Sequence, residues 1–190
     1  MPDKKPIAAG SNSIDLVDAD KLFAEVHLKE GDTFLDVACG KGAYSILASK
    51  YVGETGHVYA VDLWREGIES LQRQIHAQNM KNIDTNVADV NKHIPVADHS
   101  VDICLLATVL HDLIQDKTDA GTLKEVKRVL KPKGTLAIIE FKKIDGPPGP
   151  PIRIRLSPEE LEKHLLPYSL SMTRMIDVGP FTYLALFENQ

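Results

Sequence analysis

The chain has 190 residues, 43% hydrophobic and 26% charged, with a net charge of -5. That is enough for one domain with a substantial core and too little for two comfortable ones, and the acidic balance gives no support to a nucleic-acid-binding face. The 2 cysteines, Cys39 and Cys104, sit in or at the end of apolar runs, so neither suggests a disulfide framework. No stretch is long enough to span a membrane, residues 1–10 lack the apolar run of a signal peptide, and the cytoplasm is the expected compartment.

Residues 1–12 read as a loose arm and 13–190 as one domain. Leu16, Val17, Leu22, Phe23 and Val26 are spaced for a short helix over 15–26. Phe34, Leu35 and Val37 form the short apolar run of a strand buried on both faces. Gly40 and Gly42 follow, where the chain turns sharply and a ligand can approach the backbone. From Ala43 the apolar residues recur at helical spacing, over 43–52. That helix start presents free N–H groups and the positive end of its dipole above the turn. A second strand over 57–62 ends in Asp62, 20 residues beyond Gly42. Nucleotide-binding folds place a carboxylate for the ribose hydroxyls at about this spacing; a helix cap is the other use of such an acid.

A helix over 66–79 follows, with Ile68, Leu71 and Ile75 on one face, and then a third strand over 82–87 leading into Ala88-Asp89-Val90. The fourth strand, 101–107, has a polar start and an apolar body, and Thr108 to Asp112 lie at its carboxyl end. A helix over 118–130 stops at Lys131-Pro132-Lys133-Gly134, before a fifth strand over 135–141. Prolines and glycines from 146 to 151 exclude a helix or central strand. Ser157-Pro158-Glu159-Glu160 is a capping box with proline at the first helical position, opening a helix over 158–166. Residues 169–177 and 181–188 read as an antiparallel hairpin.

The pattern Asp36-x-Ala38-x-Gly40-x-Gly42 resembles the cofactor motif of S-adenosylmethionine-dependent methyltransferases with a Rossmann-like fold. That family more often has glycine at position 38. Leu130-Lys131-Pro132-Lys133-Gly134-Thr135-Leu136 resembles the family's entry to its fifth strand. The resemblance covers about 30–188 and implies an α/β fold: a single-domain, doubly wound, mostly parallel seven-stranded sheet of order 3-2-1-4-5-7-6. A C-terminal antiparallel hairpin and helices on both faces complete it. It is similar to the ubiquinone/menaquinone-biosynthesis type, although the arginine-asparagine pair typical after strand four is replaced by Leu110-His111.

The resemblance implies S-adenosylmethionine as cofactor and a methyl transfer by in-line displacement to a small-molecule acceptor. The expected cofactor residues are Asp36, Ala38, Cys39, Gly40 and Gly42 at strand one, Asp62 and Leu63 at strand two, Ala88, Asp89 and Val90 at strand three, and Ala107 and Thr108 at strand four. Asp36 would stand near the ammonium group, backbone donors near Gly40–Gly42 near the carboxylate, Asp62 at the ribose and Asp89 at the adenine amino group. His111 is the candidate base, since it titrates near neutrality just beyond strand four; Asp112 and Glu140 are the alternatives. Residues 143–151 are the expected rim of the acceptor side. Arg153 and Arg155 would either face an anionic acceptor or lie in water. No metal site is expected, nor is the asparagine-proline-proline-aromatic motif of amino-directed DNA methyltransferases present; both cysteines are assigned to the core scaffold. A homo-oligomer is compatible with the open cleft. A non-catalytic protein binding S-adenosylmethionine or S-adenosylhomocysteine is the alternative, and an NAD-dependent oxidoreductase is disfavoured by Ser45, where a dinucleotide motif has its third glycine, by Ala38 and by the terminal hairpin.

Overall fold

A computed structural model describes residues 13–190; the arm read over 1–12 lies outside the described residues. The apolar runs pair into one 7-stranded sheet, in the order β3-β2-β1-β4-β5-β7-β6. The strands are β1 (Thr33–Val37), β2 (His57–Asp62), β3 (Ile83–Val87), β4 (Val101–Ala107), β5 (Leu130–Phe141), β6 (Leu170–Asp177) and β7 (Thr182–Asn189). The first five run parallel; β7 is antiparallel to β5 and to β6. The resembled architecture is the one observed.

Alternation along the strands builds two cores. Leu35, Val37, Cys104, Leu106, Leu136 and Ile138 pack on one face, with α5 (Asp119–Val129) and α6 (Pro158–Leu165). Phe34, Ile103, Leu105, Ala137 and Ile139 pack on the other, with α1 (Ala19–Glu25), α2 (Ala43–Val52) and Leu71 of α3 (Arg65–Ala77). Both faces are covered by helices, so the parallel strands carry apolar residues at consecutive positions.

Three elements differ from the sequence expectation. A short helix, α4 (Leu110–Gln115), follows β4 directly; it is too brief for helical spacing to show. The first helix divides into a 3-10 turn (Ile14–Leu16) and α1, because the Asp18 side chain accepts from the Lys21 N–H and caps α1 there. The stop after α5 is itself part of β5: Val101 pairs with Leu130, but Ile103 already pairs with Thr135. The intervening segment bulges and is tied down by Lys131 Nζ on Asp102 Oδ1 (2.7 Å) and by Asn189 Nδ2 on the carbonyls of Leu130 (3.1 Å) and Lys131 (2.9 Å). The capping box is present at Ser157 and Glu160.

Gly42 caps α2 with a φ of 71° and is buried, and a Cβ there would collide with the Leu71 methyl groups. Left-handed strain and overpacking both act on Gly42→Ala, which is expected to lose about 2–4 kcal/mol of stability. A urea midpoint within error of wild type would contradict this packing.

Candidate functional site

In an open parallel sheet, ligands sit beyond the carboxyl ends of the strands where the strand order reverses. Here that place is between β1 and β4, with β2 on the other side of β1. A cleft of about 720 Å³ opens there. Of the expected residues, it is lined by Asp36, Ala38, Cys39, Gly40, Asp62, Leu63, Asp89, Val90, Ala107, Thr108 and His111. Gly42 and Ala88 do not line it. Gly42 supports the turn from beneath, and the Ala88 N–H donates to the Asp62 carbonyl (3.0 Å), which holds the β3 end beside β2.

The glycine turn is shaped by hydrogen bonds of its own. Asp62 Oδ2 accepts from the Gly40 N–H (2.7 Å) and Oδ1 from the Trp64 N–H (2.6 Å). One carboxylate therefore ties the β1 turn to the β2 turn. The Gly42 N–H goes to the Cys39 carbonyl (2.8 Å). The N–H groups of Gly40 and Gly42 are thus engaged within the protein, so a ligand at this turn would meet the neighbouring backbone donors. Ala38 has a φ of 57°, a left-handed conformation that glycine adopts more readily, which accounts for glycine being commoner in the resembled motif. A Cβ on Gly40 would meet no atom within 4 Å. Its bare backbone faces the open cleft, as a closely approaching ligand requires.

The acids at the strand ends differ in environment. Asp36 is buried, with Ser45 Oγ donating to its Oδ2 at 2.6 Å. Ser45 therefore has a partner of its own at the position where a dinucleotide motif has glycine. Burial pushes the Asp36 carboxyl up to about 7, opposed by Ser45 and reinforced by the Asp62 charge. Asp62 is also raised by burial, against the N–H bonds from Trp64, Gly40 and Leu63. Asp89 Oδ1 accepts from the Asn91 N–H (3.2 Å), and Oδ2 pairs with Lys92 (3.0 Å). Cys39 lines the cleft rather than lying wholly in the scaffold. Burial first, then Asp36 and Asp62, push its thiol well up, so it is a poor thiolate nucleophile.

The other half of the cleft is more apolar. Val109, Leu113, Phe141, Pro150, Pro151 and Ile154 line it. Of the expected rim, Gly149, Pro150 and Pro151 line the cleft, and of the two arginines Arg153 lies in water while Arg155 meets neither expectation. Arg155 is buried and donates to the carbonyls of Lys142, Ile144, Gly146, Pro148 and Pro150, at 2.7–3.1 Å. Every second carbonyl of the strap converges on one guanidinium, so Arg155 is neither in water nor open to an anionic acceptor. Arg153 is exposed on a 3-10 turn and is absent from the cleft lining. His111 Nδ1 lies 2.8 Å from Glu140 Oε2, and its Nε2 lies 3.7 Å from Asp112 Oδ1. Burial alone would lower the imidazole; the Glu140 hydrogen bond and charge outweigh it and raise it, with Asp112 adding and Arg155 opposing.

Tyr44, Trp64, Phe141 and Lys41 also line the cleft, and sequence reasoning missed them. Tyr44 and Lys41 adjoin the glycine motif and Trp64 follows Asp62, so proximity to the motif was the available signal. Phe141 ends β5 and carried none.

A family described as "Methyltransferase domain" matches residues 28–166. The chain is 34% identical over 129 residues to the demethylmenaquinone methyltransferase of Lactobacillus johnsonii, covering 67% of this chain and 51% of that protein. It is 33% identical over 118 residues to a 2-phytyl-1,4-naphtoquinone methyltransferase of Trichormus variabilis, covering 60% of this chain and 48% of that protein. These alignments span about half the length of the curated relatives. The crystal structure of a SAM-dependent methyltransferase from Aquifex aeolicus superposes with a TM-score of 0.86 at 33% identity, covering 96% of this chain and 95% of that one.

Two outcomes are expected from this geometry. An ordinary aspartate titrates near 3.8 and Asp36 at about 7, so the folded chain holds a proton that the unfolded chain loses across that range. The resulting stabilisation is complete below the lower value and lost as pH rises through the higher. Asp36→Asn should therefore flatten the fall in unfolding free energy between about pH 4 and 8, by on the order of 2–4 kcal/mol. Equal pH slopes for both proteins would refute the assignment. Arg155→Met removes the donors from the strap and should lower stability by about 2–4 kcal/mol. Limited proteolysis should then cut within 143–150, and a strap still resistant in the variant would show that other contacts hold it.

Proposed function

The chain belongs to the methyltransferase-domain family, and on that premise we propose that it transfers a methyl group from S-adenosylmethionine to a small-molecule acceptor. The observation that carries this reading is the placement of Asp36, Asp62 and Asp89 around a turn whose Gly40 backbone faces an open cleft. S-adenosylmethionine supplies a methyl group on a sulfonium, already activated for displacement. The protein's part is then to bind, align and exclude water. Asp36, buried beside the first turn of α2 and bonded there by the Ser45 N–H and hydroxyl, receives the ammonium group, and the N–H groups of Ala43 and Tyr44 receive the carboxylate. Asp62 keeps both oxygens on backbone N–H groups and uses remaining lone pairs for the ribose hydroxyls. Asp89 receives the adenine amino group, with Leu63 and Val90 against the base. Ala107 and Thr108 close the side toward the acceptor, and His111 takes the acceptor's proton.

The acceptor half, whose apolar lining holds no lysine or arginine among the described residues, suits an uncharged organic molecule. Two curated relatives are named for quinone acceptors, so reduced naphthoquinones are the first acceptors to try. The reading places the enzyme in the cytoplasm, without a nucleic-acid partner, and with a second copy of the chain as a candidate cover for the open side. Among the described residues no helix is long and apolar enough to cross a membrane.

Calorimetric titration with S-adenosylmethionine, S-adenosylhomocysteine and NAD tests the proposal. Both adenosyl ligands should bind and NAD should not. Asp62→Ala removes the ribose acceptor and the tie on Gly40 together, and should weaken binding about 10-fold to 100-fold, or about 1.4–2.8 kcal/mol. Binding of NAD alone would refute the cofactor assignment. Cofactor binding with no methyl transfer across a broad acceptor panel would favour a non-catalytic binding protein.

A further inference from the structure

Glu140 is 0% exposed and lies on the same face of β5 as Leu136 and Ile138. A carboxylate taken out of water into such a place costs stability unless its oxygens are well partnered. Its two shorter hydrogen bonds come from one residue. Oε1 accepts from the His111 backbone N–H at 3.1 Å, and Oε2 from His111 Nδ1 at 2.8 Å. The Phe141 N–H adds a longer bond to Oε2, at 3.3 Å. Among the described residues its ion-pair partner is His111. Holding a ring and its own main chain with one carboxylate leaves the imidazole little freedom to turn.

A carboxylate only accepts, so His111 Nδ1 carries the proton and the Nε2 lone pair is left over in the neutral ring. His111 lines the cleft and is only 4% exposed. The Asp112 carboxylate, on the same helix, stands 3.7 Å from Nε2, beyond hydrogen-bond reach. The other groups around the ring are accounted for. Arg155 lies over the Phe141 ring at 5.5 Å with its donors engaged by the strap. Tyr183 of β7, in register with Glu140, donates its hydroxyl to the Leu156 carbonyl (2.8 Å).

We propose that Glu140 is a positioning residue: it fixes His111 as the Nδ1–H tautomer and aims Nε2 into the cleft as proton acceptor for a nucleophile bearing a removable proton. The inference rests on the methyl-transfer reading and narrows its acceptor to a hydroxyl, a thiol or an acidic carbon. A tertiary amine or a thioether gives up no proton and would have no use for the pair. The acceptor's X–H bond breaks, its proton goes to Nε2, and its electron pair forms the new bond to the methyl carbon as the donor's C–S pair stays on sulfur. Glu140 stays hydrogen-bonded to Nδ1 throughout, stabilising the imidazolium that forms. A purely structural role is the rival, since Oε1 also caps the first turn of α4.

Nitrogen-15 NMR of the full chain labelled at histidine separates the two, with His111→Ala to assign the signal and Glu140→Gln as the test. In the wild type His111 should show a protonated Nδ1 and an unprotonated Nε2 in its neutral form. In Glu140→Gln its midpoint should fall by about one pH unit or more and the tautomer preference should be lost. With reduced 1,4-naphthoquinone as the probe acceptor, kcat should drop about tenfold or more with the KM for S-adenosylmethionine little changed. The acid limb of the rate profile should move to lower pH, and Glu140→Asp should recover part of the loss. Unchanged histidine signals, or unchanged turnover, in a less stable Glu140→Gln would reduce Glu140 to a cap and overturn the proposal. Cofactor binding without turnover of this probe by the wild type would overturn the acceptor class. Failure of the wild type to bind S-adenosylmethionine at all would instead overturn the reading beneath it.

Discussion

The Asp62 carboxylate is the tie on which the site depends. One oxygen holds the Gly40 N–H and the other the Trp64 N–H, so a single side chain fixes the turn after β1 against the turn after β2. Without it the turn after β1 would have to find other partners for a half-buried N–H. The tie is possible because β1 and β2 are adjacent and in register, with Val37 opposite Val61. The glycine turn and the acid at the end of the next strand therefore form one device. Shape comes from backbone hydrogen bonds, and charge comes from the same group that gives the shape.

Burial then separates the acids by environment. Asp36 lies deepest, against Ser45, and its proton is held to about 7; a cationic ligand group beside it would favour the ionised form. Asp89 is nearer the surface and paired with Lys92. In the apolar half of the cleft the same physics acts on His111, where a neighbouring carboxylate overcomes the effect of burial. The cleft thus has a polar half, built from strand ends, and an apolar half, built from α4, Phe141 and the strap. The strap stays in place because one guanidinium collects alternate carbonyls along it. Its prolines leave those carbonyls without the regular ladder partners of a strand, and Arg155 supplies the donors.

The strands and most of the expected cleft-lining residues were legible because they rest on local signals, whereas the strand order was legible only through the family resemblance. Apolar runs at Phe34–Val37 and 101–107, the glycines at 40 and 42, and acids at strand ends each announce themselves over a few residues. Boundaries were less legible where a distant partner decides them. β5 starts at Leu130 because Asp102 and Asn189 reach the bulge at Lys131, and neither is nearby in sequence. Helix α4 was missed for its brevity. Arg155 was misread because an arginine alternating with isoleucines carries no local sign that five carbonyls will fold around it.

What the amino-acid order determined by itself was the strands, their helices and the glycine turn that opens on the cleft, since period, turn residues and strand-end acids act over short stretches of chain. What only the tertiary structure decided was which groups meet. Glu140 and His111 are separated by 29 positions and become partners because β5 lies beside β4. Asp62 reaches Gly40 only once β2 pairs with β1. Arg155 becomes the centre of the strap only when burial leaves it no water to bind. Hydrogen bonds and charge effects depend on separations of a few ångströms, and packing of the sheet sets those separations.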